Sequence, residues 1–212
     1  MATIVVVGGT GYTGGNVVRE AASRGHQVIA VSRSEPKESV PGVRYEVGKV
    51  EDVAPRVVPG ADVVVATLSP RADMAGRLVD AYDELARLSA EAGARYLQVG
   101  GFSSLRPSPD QPRFVEGEIP DQFRAEALEG EATRVLLVER APDELDWVFV
   151  SPAGGYGSFA PGERTGAYRV GDEIALFDAE GDSNISGADF ALAIVDEIDE
   201  PAHHREHIGV AY

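Results

Sequence analysis

The sequence predicts an α/β fold in which helices cover both faces of a doubly wound parallel sheet. Short apolar runs rich in Val and Ile alternate along the chain with segments whose apolar residues recur at helical spacing. The runs are continuous rather than alternating, which is typical of strands buried on both faces. A glycine-rich turn connects the first run to the first helical segment. With 212 residues, the chain is long enough for one domain with a full hydrophobic core.

The apolar runs predict the strands of this sheet. The strands of the parallel sheet are predicted at residues 4–7, 28–31, 43–47, 63–66, 96–99 and 147–150. A last short run, residues 207–212, is expected to form an edge strand.

Apolar residues at helical spacing predict helices between and after these strands. The first two helices end at Gly25 and Gly93, because glycine suits the left-handed conformation at a helix C-terminus. Ser186 and Asp189 resemble an N-terminal capping pair for the last helix, which Pro201 stops. The apolar stripes lie within residues 17–22, 74–92, 127–136 and 190–198.

The chain after the sixth predicted strand changes character. Residues 151–171 are rich in Gly and Pro and lack periodicity, so they are predicted to form a long loop that lines a pocket. We therefore expect a single domain over residues 1–212, with a small C-terminal lobe on the substrate side. Its loop-rich, substrate-side segment is expected at residues 151–185.

The charge balance limits the partners of the protein. Its 35 acidic and 19 basic residues give a net charge of −16, and such a surface repels nucleic acid. The chain contains no cysteine and no apolar run of eighteen residues, so neither disulfides nor a membrane partner is expected. We expect a cytoplasmic monomer or homodimer that takes a small-molecule substrate. The Lys-poor, acidic composition fits either a high-salt cytoplasm or a GC-rich genome.

Other local patterns favour structural roles. His203, His204 and His207 have a spacing that could hold a metal, but we expect a solvated turn and no metal site. Residues 101–104 do not match the Gly-x-Ser-x-Gly elbow of a serine hydrolase. The acidic residues 196–200 are expected to be a solvated helix face and terminus.

The glycine-rich turn is the sharpest functional signal. Gly8, Gly11 and Gly14 form the spacing G-x-x-G-x-x-G, a variant of the Rossmann dinucleotide fingerprint. Glycine permits the tight turn and close approach of the backbone to a pyrophosphate, which the helix N-terminus attracts. Residues 14–16 lack the lysine of a P-loop. We predict that a dinucleotide binds these glycines and the residues between them, Thr10, Tyr12 and Thr13.

The end of the second strand indicates which nicotinamide cofactor is preferred. An acidic residue there would bind the ribose diol of NAD, whereas an arginine accommodates the 2′-phosphate of NADP. Ser32 and Arg33 occupy these positions, and no carboxylate follows before Glu35. Arg33 can make a forked contact with a phosphate, and Ser32 or Ser34 can add a hydroxyl. We therefore expect NADPH to be preferred over NADH.

Residues after the later strands complete the predicted cofactor site, because ligands of open α/β sheets lie outside the carboxyl ends of the strands. Lys49 and Val50, after the third strand, are expected near adenine. Thr67, Leu68 and Ser69, after the fourth strand, are expected beside the ribose and pyrophosphate. Gly100 and Gly101, after the fifth strand, are expected beside the nicotinamide.

These motifs resemble those of the atypical short-chain dehydrogenase/reductases, in the NAD(P)H-binding, NmrA-like group. The chain is most similar to the small NADH-flavin reductase family and is also similar to biliverdin reductase B, a flavin reductase. The resemblance spans nearly the whole chain, through the N-terminal glycine turn, Arg33 and residues 146–152, 161–169 and 185–191. It implies a Rossmann fold and an NAD(P)H-dependent oxidoreductase.

The chain departs from the broader superfamily at its catalytic pair. Typical members use Tyr-x-x-x-Lys, in which the lysine lowers the tyrosine pKa for proton transfer. The only such spacing, Tyr45 and Lys49, crosses the third strand, and the helix expected to carry the pair has Phe123 and Ala127 instead. Conventional alcohol or ketone chemistry is thus disfavoured.

A flavin such as FMN or FAD is the acceptor substrate that tolerates this loss, because hydride transfer between stacked rings mainly needs orientation. Ser103 or Ser104 could donate a hydrogen bond, and the resemblance to biliverdin reductase B assigns the catalytic role to Ser103. That enzyme's histidine after the sixth strand has no match within residues 153–155, which disfavours tetrapyrrole reduction. The aromatic walls of the acceptor pocket are predicted to be Phe102, Tyr156, Phe159 and Tyr168.

Other functions stay open at this point. The chain could be a redox sensor that holds NADP without turnover, which the missing Tyr-Lys pair favours. It could also reduce or isomerise a sugar-like or quinone-like substrate. The aromatic residues could instead simply cover the sheet edge.

Overall fold

The computed structural model describes residues 1–212, with the exception of the side chain of Ala72. The strands are β1 Thr3–Val7, β2 Gln27–Ser32, β3 Arg44–Val47, β4 Val63–Ala66, β5 Arg95–Val99, β6 Trp147–Pro152, β7 Arg169–Gly171 and β8 Glu206–Ala211. The helices are α1 Tyr12–Ser23, α2 Val50–Val57, α3 Leu78–Ala92, α4 Asp121–Arg140 and α5 Gly187–Asp199.

The strands form one sheet in the order β3-β2-β1-β4-β5-β6-β8-β7. Neighbouring strands are parallel from β3 through β8, and β7 pairs antiparallel with β8. The chain first runs outward from β1 to β3 and then returns to β4 on the other side of β1. This arrangement confirms the doubly wound α/β fold and places its switch point between β1 and β4.

The strands are apolar on both faces because each face meets a layer of helices. In β1, Ile4 and Val6 belong to the core shared with α1 and α5. The alternate residues Val5 and Val7 belong to the core shared with α2 and α3. The continuous apolar runs that predicted the strands are therefore a direct consequence of burial on two sides.

The predicted helix boundaries at glycine and serine are confirmed. Gly25 and Gly93 have φ of +81° and +66°, and they follow the ends of α1 and α3. Ser186 is the N-cap of α5, and its Oγ accepts a hydrogen bond from the Asp189 backbone N–H at 3.0 Å. These boundaries therefore have local causes that are visible in the sequence.

The end of the sheet differs from the prediction. β8 is an inner strand, with Ile208 beside Val150 of β6 and Val210 beside Val170 of β7. The edge strand is β7, which lies inside the segment predicted to be only a loop. The prediction was wrong here because β7 has only three residues, two of them exposed, and no apolar run.

The acidic end of α5 is also less solvated than expected. Glu197 is 7% exposed, and its carboxylate accepts hydrogen bonds from Arg95 Nη2 and lies 2.7 Å from His203 Nδ1. Burial raises the pKa of Glu197, but the hydrogen bonds from Arg95 and His203 outweigh it and lower that pKa. His204 lies 3.0 Å from Asp146, whereas His207 belongs to β8, so the three histidines diverge.

Candidate functional site

A cleft opens above the carboxyl ends of β1, β2, β3 and β4, at the switch point of the sheet. Side chains and backbone from all four strand ends converge on it, as the fold class leads one to expect. Its lining includes most of the predicted cofactor residues: Gly8, Thr10, Gly11, Ser32, Arg33, Lys49, Val50, Thr67, Leu68 and Ser69.

The glycine turn is shaped by very close backbone contacts. Gly8 has φ of +86°, and its carbonyl accepts a hydrogen bond from Gly11 N–H at 2.9 Å. A Cβ at Gly14 would lie 2.3 Å from the Gly8 carbonyl oxygen and 2.7 Å from Thr67 Oγ1. Gly14 is therefore required for packing α1 against the turn, while a Cβ at Gly11 would have its nearest neighbour at 3.2 Å.

The turn leads directly into the N-terminus of α1. The bond from Gly15 N–H to Gly11 C=O measures 2.8 Å and is the first of the helix, so the N–H groups of residues 12–14 precede it. Gly11, at the N-cap, carries no side chain that could accept from these groups. The free N–H groups and the helix dipole make this end of α1 suited to a phosphate.

Two predicted cofactor residues direct their side chains away from the cleft. Tyr12 donates its hydroxyl hydrogen to the Pro161 carbonyl at 3.2 Å, and Thr13 Oγ1 lies 2.7 Å from the Tyr156 hydroxyl. Only the backbone of Tyr12 and Thr13 can contribute to an anion site, while their side chains connect the turn to the loop between β6 and β7.

Two ion-paired arginines line the cleft. The Arg33 guanidinium is half exposed and forms an ion pair with Asp73, which also lines the cleft. Arg77 pairs with Glu51 at 2.9 Å, and both line the same cleft. These exposed pairs can exchange partners at little cost, so the guanidinium groups can accept a ligand phosphate.

The two serines after β2 have different roles. Ser32 is 7% exposed and donates its hydroxyl hydrogen to the Ser34 carbonyl at 2.7 Å, so its hydroxyl is committed to the turn. Ser34 is exposed and lines the cleft. Of the two alternatives from the sequence, Ser34 is the better placed to meet a ligand.

The loop after β5 lies farther along the same sheet edge. A Cβ at Gly100 would lie 2.1 Å from Phe149 Cε1, so the ring of Phe149 requires glycine there. The Gly101 carbonyl accepts a hydrogen bond from Ser151 Oγ at 2.9 Å. A single 3₁₀ turn, Phe102–Ser104, follows.

The two serines of this turn are not equivalent. Ser103 is partly exposed, and it stays the candidate hydrogen-bond donor. Ser104 is only 1% exposed, and its carbonyl accepts a 2.5 Å hydrogen bond from Arg113 Nη1. The expectation that Ser104 contacts an acceptor is therefore corrected, because its side chain is buried in the protein.

The predicted aromatic pocket divides into separate places. Phe102 stacks on Phe114 with centroids 4.7 Å apart, and Phe177 meets it edge-on at 6.4 Å. Phe159 is 81% exposed, in the loop after β6. Tyr156 packs 4.7 Å from Phe190 of α5.

Tyr168 does not join the other aromatic residues, which corrects that prediction. It donates its hydroxyl hydrogen to Asp196 Oδ2 at 2.5 Å, beside a different cavity that Arg24 also lines. Burial and the neighbouring carboxylate raise the Tyr168 pKa, so its phenol remains protonated. The loop before β7 faces α5 at this point rather than the cleft.

Phe114 and Phe177 were missed by the sequence analysis. Both lie in segments without periodicity, and each reaches Phe102 only through the tertiary fold. A sequence signal was present only in composition, since aromatic residues are sparse in this chain and several occur in its loops.

Comparisons with known proteins agree with this geometry. A family model described as NAD(P)H-binding matches residues 8–201. The uncharacterized protein YwnB of Bacillus subtilis is 31% identical over 98% of this chain and 97% of its own. Within the residues that the structure describes, none of the helices combines the length and apolar character that a membrane crossing requires.

Solved structures share the fold over the whole chain. A candidate epimerase from Bacteroides thetaiotaomicron has a TM-score of 0.87 and 31% identity, covering 99% of this chain and 96% of its own. SP1627 of Streptococcus pneumoniae, a candidate NADH-flavin reductase, has a TM-score of 0.85 and 27% identity, covering 100% and 99%. The names of these relatives differ in chemistry, so the acceptor must be argued from the site.

Proposed function

The chain belongs to the NAD(P)H-binding family, and from that premise we propose that it is an oxidoreductase that passes hydride from NADPH to a flavin or a similar planar acceptor. The observation that supports the proposal most strongly is that two turns lie close together at the same edge of the sheet. The anion-binding turn at β1 and the aromatic turn after β5 lie on the two sides of β4.

The chain's own groups fit the cofactor. The turn at Gly8 and Gly11 offers backbone N–H groups to a pyrophosphate, in a cradle that larger side chains would fill. Arg33 and Ser34 suit a 2′-phosphate, which supports the preference for NADPH. Thr67–Ser69 would run beside the ribose and lead to Gly101 on the nicotinamide side. When bound, NADPH supplies the hydride.

The acceptor would lie against the turn at Phe102. The ring of this residue is held by Phe114 and Phe177, and a Cβ at Gly154 would lie 3.5 Å from it. A flat ring system matches such a wall, and Ser103 can donate a hydrogen bond to it. The hydride goes to the acceptor ring, and water supplies the proton that completes the reduction.

The absence of a Tyr-x-x-x-Lys pair in α4 is consistent with this chemistry. Phe123 is half exposed at the position where the tyrosine belongs. Hydride transfer between stacked rings needs a separation of about 3–3.5 Å and correct orientation rather than an acid. The likeness to SP1627, whose name assigns a flavin acceptor, supports the same choice.

The test is steady-state oxidation of NADPH with FMN, FAD or riboflavin, followed at 340 nm. We expect a saturable, protein-dependent rate above the free-solution reaction, with NADPH used better than NADH. Ser103→Ala should lower kcat, whereas Ser108→Ala, in the following loop, should not. Binding of NADPH without any protein-dependent rate would favour the second candidate, a redox sensor that holds the cofactor without turnover.

A further inference from the structure

A partly buried histidine lies behind the turn that carries Phe102 and Ser103. His207 is in β8, next to β6, and its ring meets Phe149 edge-on with centroids 4.9 Å apart. The imidazole has a polar partner at each nitrogen: Ser151 Oγ at 2.9 Å from Nε2 and Arg113 Nη1 at 3.4 Å from Nδ1.

Ser151 determines the tautomer of this histidine. The serine is fully buried, and its single hydroxyl proton can go only to the Gly101 carbonyl, which accepts it at 2.9 Å. Ser151 Oγ must then accept a proton from His207 Nε2. His207 is therefore protonated on Nε2, and its Nδ1 is left as an acceptor.

Arg113 completes the arrangement on the other side of the ring. An arginine can only donate, which matches the bare Nδ1 of His207. The same Nη1 donates to the Ser104 carbonyl at 2.5 Å, and Glu173 holds the guanidinium through Nη2. Arg113 is 5% exposed, so these contacts are shielded from solvent.

The two carbonyls held in this way are the flanks of one turn. Gly101 precedes the 3₁₀ turn and Ser104 ends it. Ser151 donates a hydrogen bond to the Gly101 carbonyl, Arg113 donates one to the Ser104 carbonyl, and both side chains contact the ring of His207. The ring thus connects the two groups that hold the ends of the turn, and Phe102 and Ser103 lie between those ends.

Charged groups from several elements keep the ring neutral. Burial and the nearby guanidinium groups of Arg113, Arg134 and Arg106 together lower the pKa of His207 to about 3, against the opposing effect of the Glu173 carboxylate. The tautomer that the hydrogen bonds require is therefore the working form at neutral pH.

We propose that His207 is a positioning residue for hydride transfer. By orienting Ser151 and Arg113, it fixes the positions of Phe102 and Ser103 relative to the nicotinamide and the acceptor. This inference rests on the proposed function. A misplacement of about 1 Å in such a turn can slow the reaction about 100-fold, because the reacting atoms must be aligned.

The experiment compares His207→Leu with His207→Gln, since the glutamine amide can still donate to Ser151. We expect His207→Leu to lower kcat for flavin reduction about 10–100-fold, while the NADPH Kd changes less than about 2-fold. His207→Gln should recover most of kcat, and Ser151→Ala should resemble the leucine variant. His204→Leu, which removes an exposed histidine, is the matched control and should leave kcat unchanged.

The fluorescence of bound NADPH provides a readout that does not need turnover. We expect weaker enhancement of the nicotinamide emission in His207→Leu and Ser151→Ala, with recovery in His207→Gln. Folded variants with wild-type kcat and emission would overturn the role of His207, as would a loss that glutamine does not recover. Wild-type protein that binds NADPH but reduces no acceptor would instead overturn the proposed function. In that case, the fluorescence of bound NADPH in the three variants would still show whether His207 positions the turn. Should His207→Leu fail to fold, Ser151→Ala carries the test.

Discussion

We propose that Arg33 is the side chain on which the choice between NADPH and NADH depends. Its guanidinium pairs with Asp73 at the edge of the cleft, and both groups are half exposed. A 2′-phosphate would replace one carboxylate with a more highly charged, forked partner. Arg33→Ala should therefore weaken NADPH binding by about 1–3 kcal/mol and spare NADH, as measured by fluorescence titration of both cofactors.

Arg77→Ala is the matched control for Arg33, since Arg77 lines the same cleft and pairs with Glu51. It should change the affinities for the two cofactors by similar factors. The reciprocal variant, Asp73→Asn, removes the ion-pair partner of Arg33 and should selectively increase the affinity for NADPH. Equal losses of affinity for NADPH and NADH in Arg33→Ala would show that Arg33 does not bind the 2′-phosphate.

The lowered pKa of His207 leads us to predict that the stability of the protein depends on pH. Its folded pKa of about 3 lies below the unfolded value of about 6.5, so the unfolded chain takes up the proton first as the pH falls. The contribution of the neutral ring is complete above about pH 6.5 and is lost as the pH falls towards 3. Between pH 7 and pH 5, the free energy of unfolding measured with urea should therefore fall more for the wild type than for His207→Gln. Equal decreases in the two proteins would contradict the lowered pKa of His207.

The N-terminus of α5 holds the loop before β7 and the end of the chain in place. Asp189 is fully buried, and its carboxylate accepts hydrogen bonds from the backbone N–H groups of Thr165 and Gly166 and from the Tyr212 hydroxyl. Burial raises the pKa of Asp189, but these bonds and that of Ser186 outweigh it and lower the pKa to about 2. One carboxylate thus ties a loop and the chain end to one helix.

Asp189→Asn should lower the free energy of unfolding by about 1.5–3 kcal/mol, because an amide cannot accept all of these hydrogen bonds. Urea denaturation measures this loss, and Asp80→Asn, on the exposed face of α3, is the control with little effect. A change below about 0.5 kcal/mol would mean that the loop does not depend on this carboxylate.

The elements that the sequence predicts well are those with a local cause. β1 and β4 follow from continuous apolar runs, and the boundary of α5 follows from Ser186. The inner position of β8 could not be predicted, because pairing with β6 and β7 depends on residues far apart in the chain. β7 could not be predicted either, because its three residues, two of them exposed, form no apolar pattern.

The same distinction applies to the candidate site. The turn at Gly8 and Gly14 could be predicted, since the glycine spacing is local and its position before α1 is set by the first strand. The burial of Ser104 and the contact of Tyr168 with Asp196 could not be predicted, because both depend on residues far apart in the chain that only the fold brings near.

At the scale of the whole molecule, the net charge of −16 repels an anionic cofactor before it reaches the cleft. Raising the ionic strength from about 0.01 to 0.15 M shortens the screening length from about 30 to 8 Å. The association rate constant for NADPH, measured by stopped-flow fluorescence, should therefore rise several-fold over this range. A falling rate constant would indicate that the positive groups of the cleft dominate the encounter.

The central claim, that NADPH binds with its pyrophosphate on the turn before α1, is tested most directly by calorimetric titration of wild type and Gly11→Val. Gly11 has φ of −73°, and a Cβ there has its nearest neighbour at 3.2 Å, so the variant should fold while its side chain occupies the anion site. Gly15→Ala, where the nearest neighbour is 3.6 Å away, is the control and should bind normally. We predict one NADPH per wild-type chain and a loss of at least about 100-fold in Gly11→Val, equivalent to about 2.7 kcal/mol. Absence of binding to the wild type, or equal affinity in a folded Gly11→Val, would contradict the account.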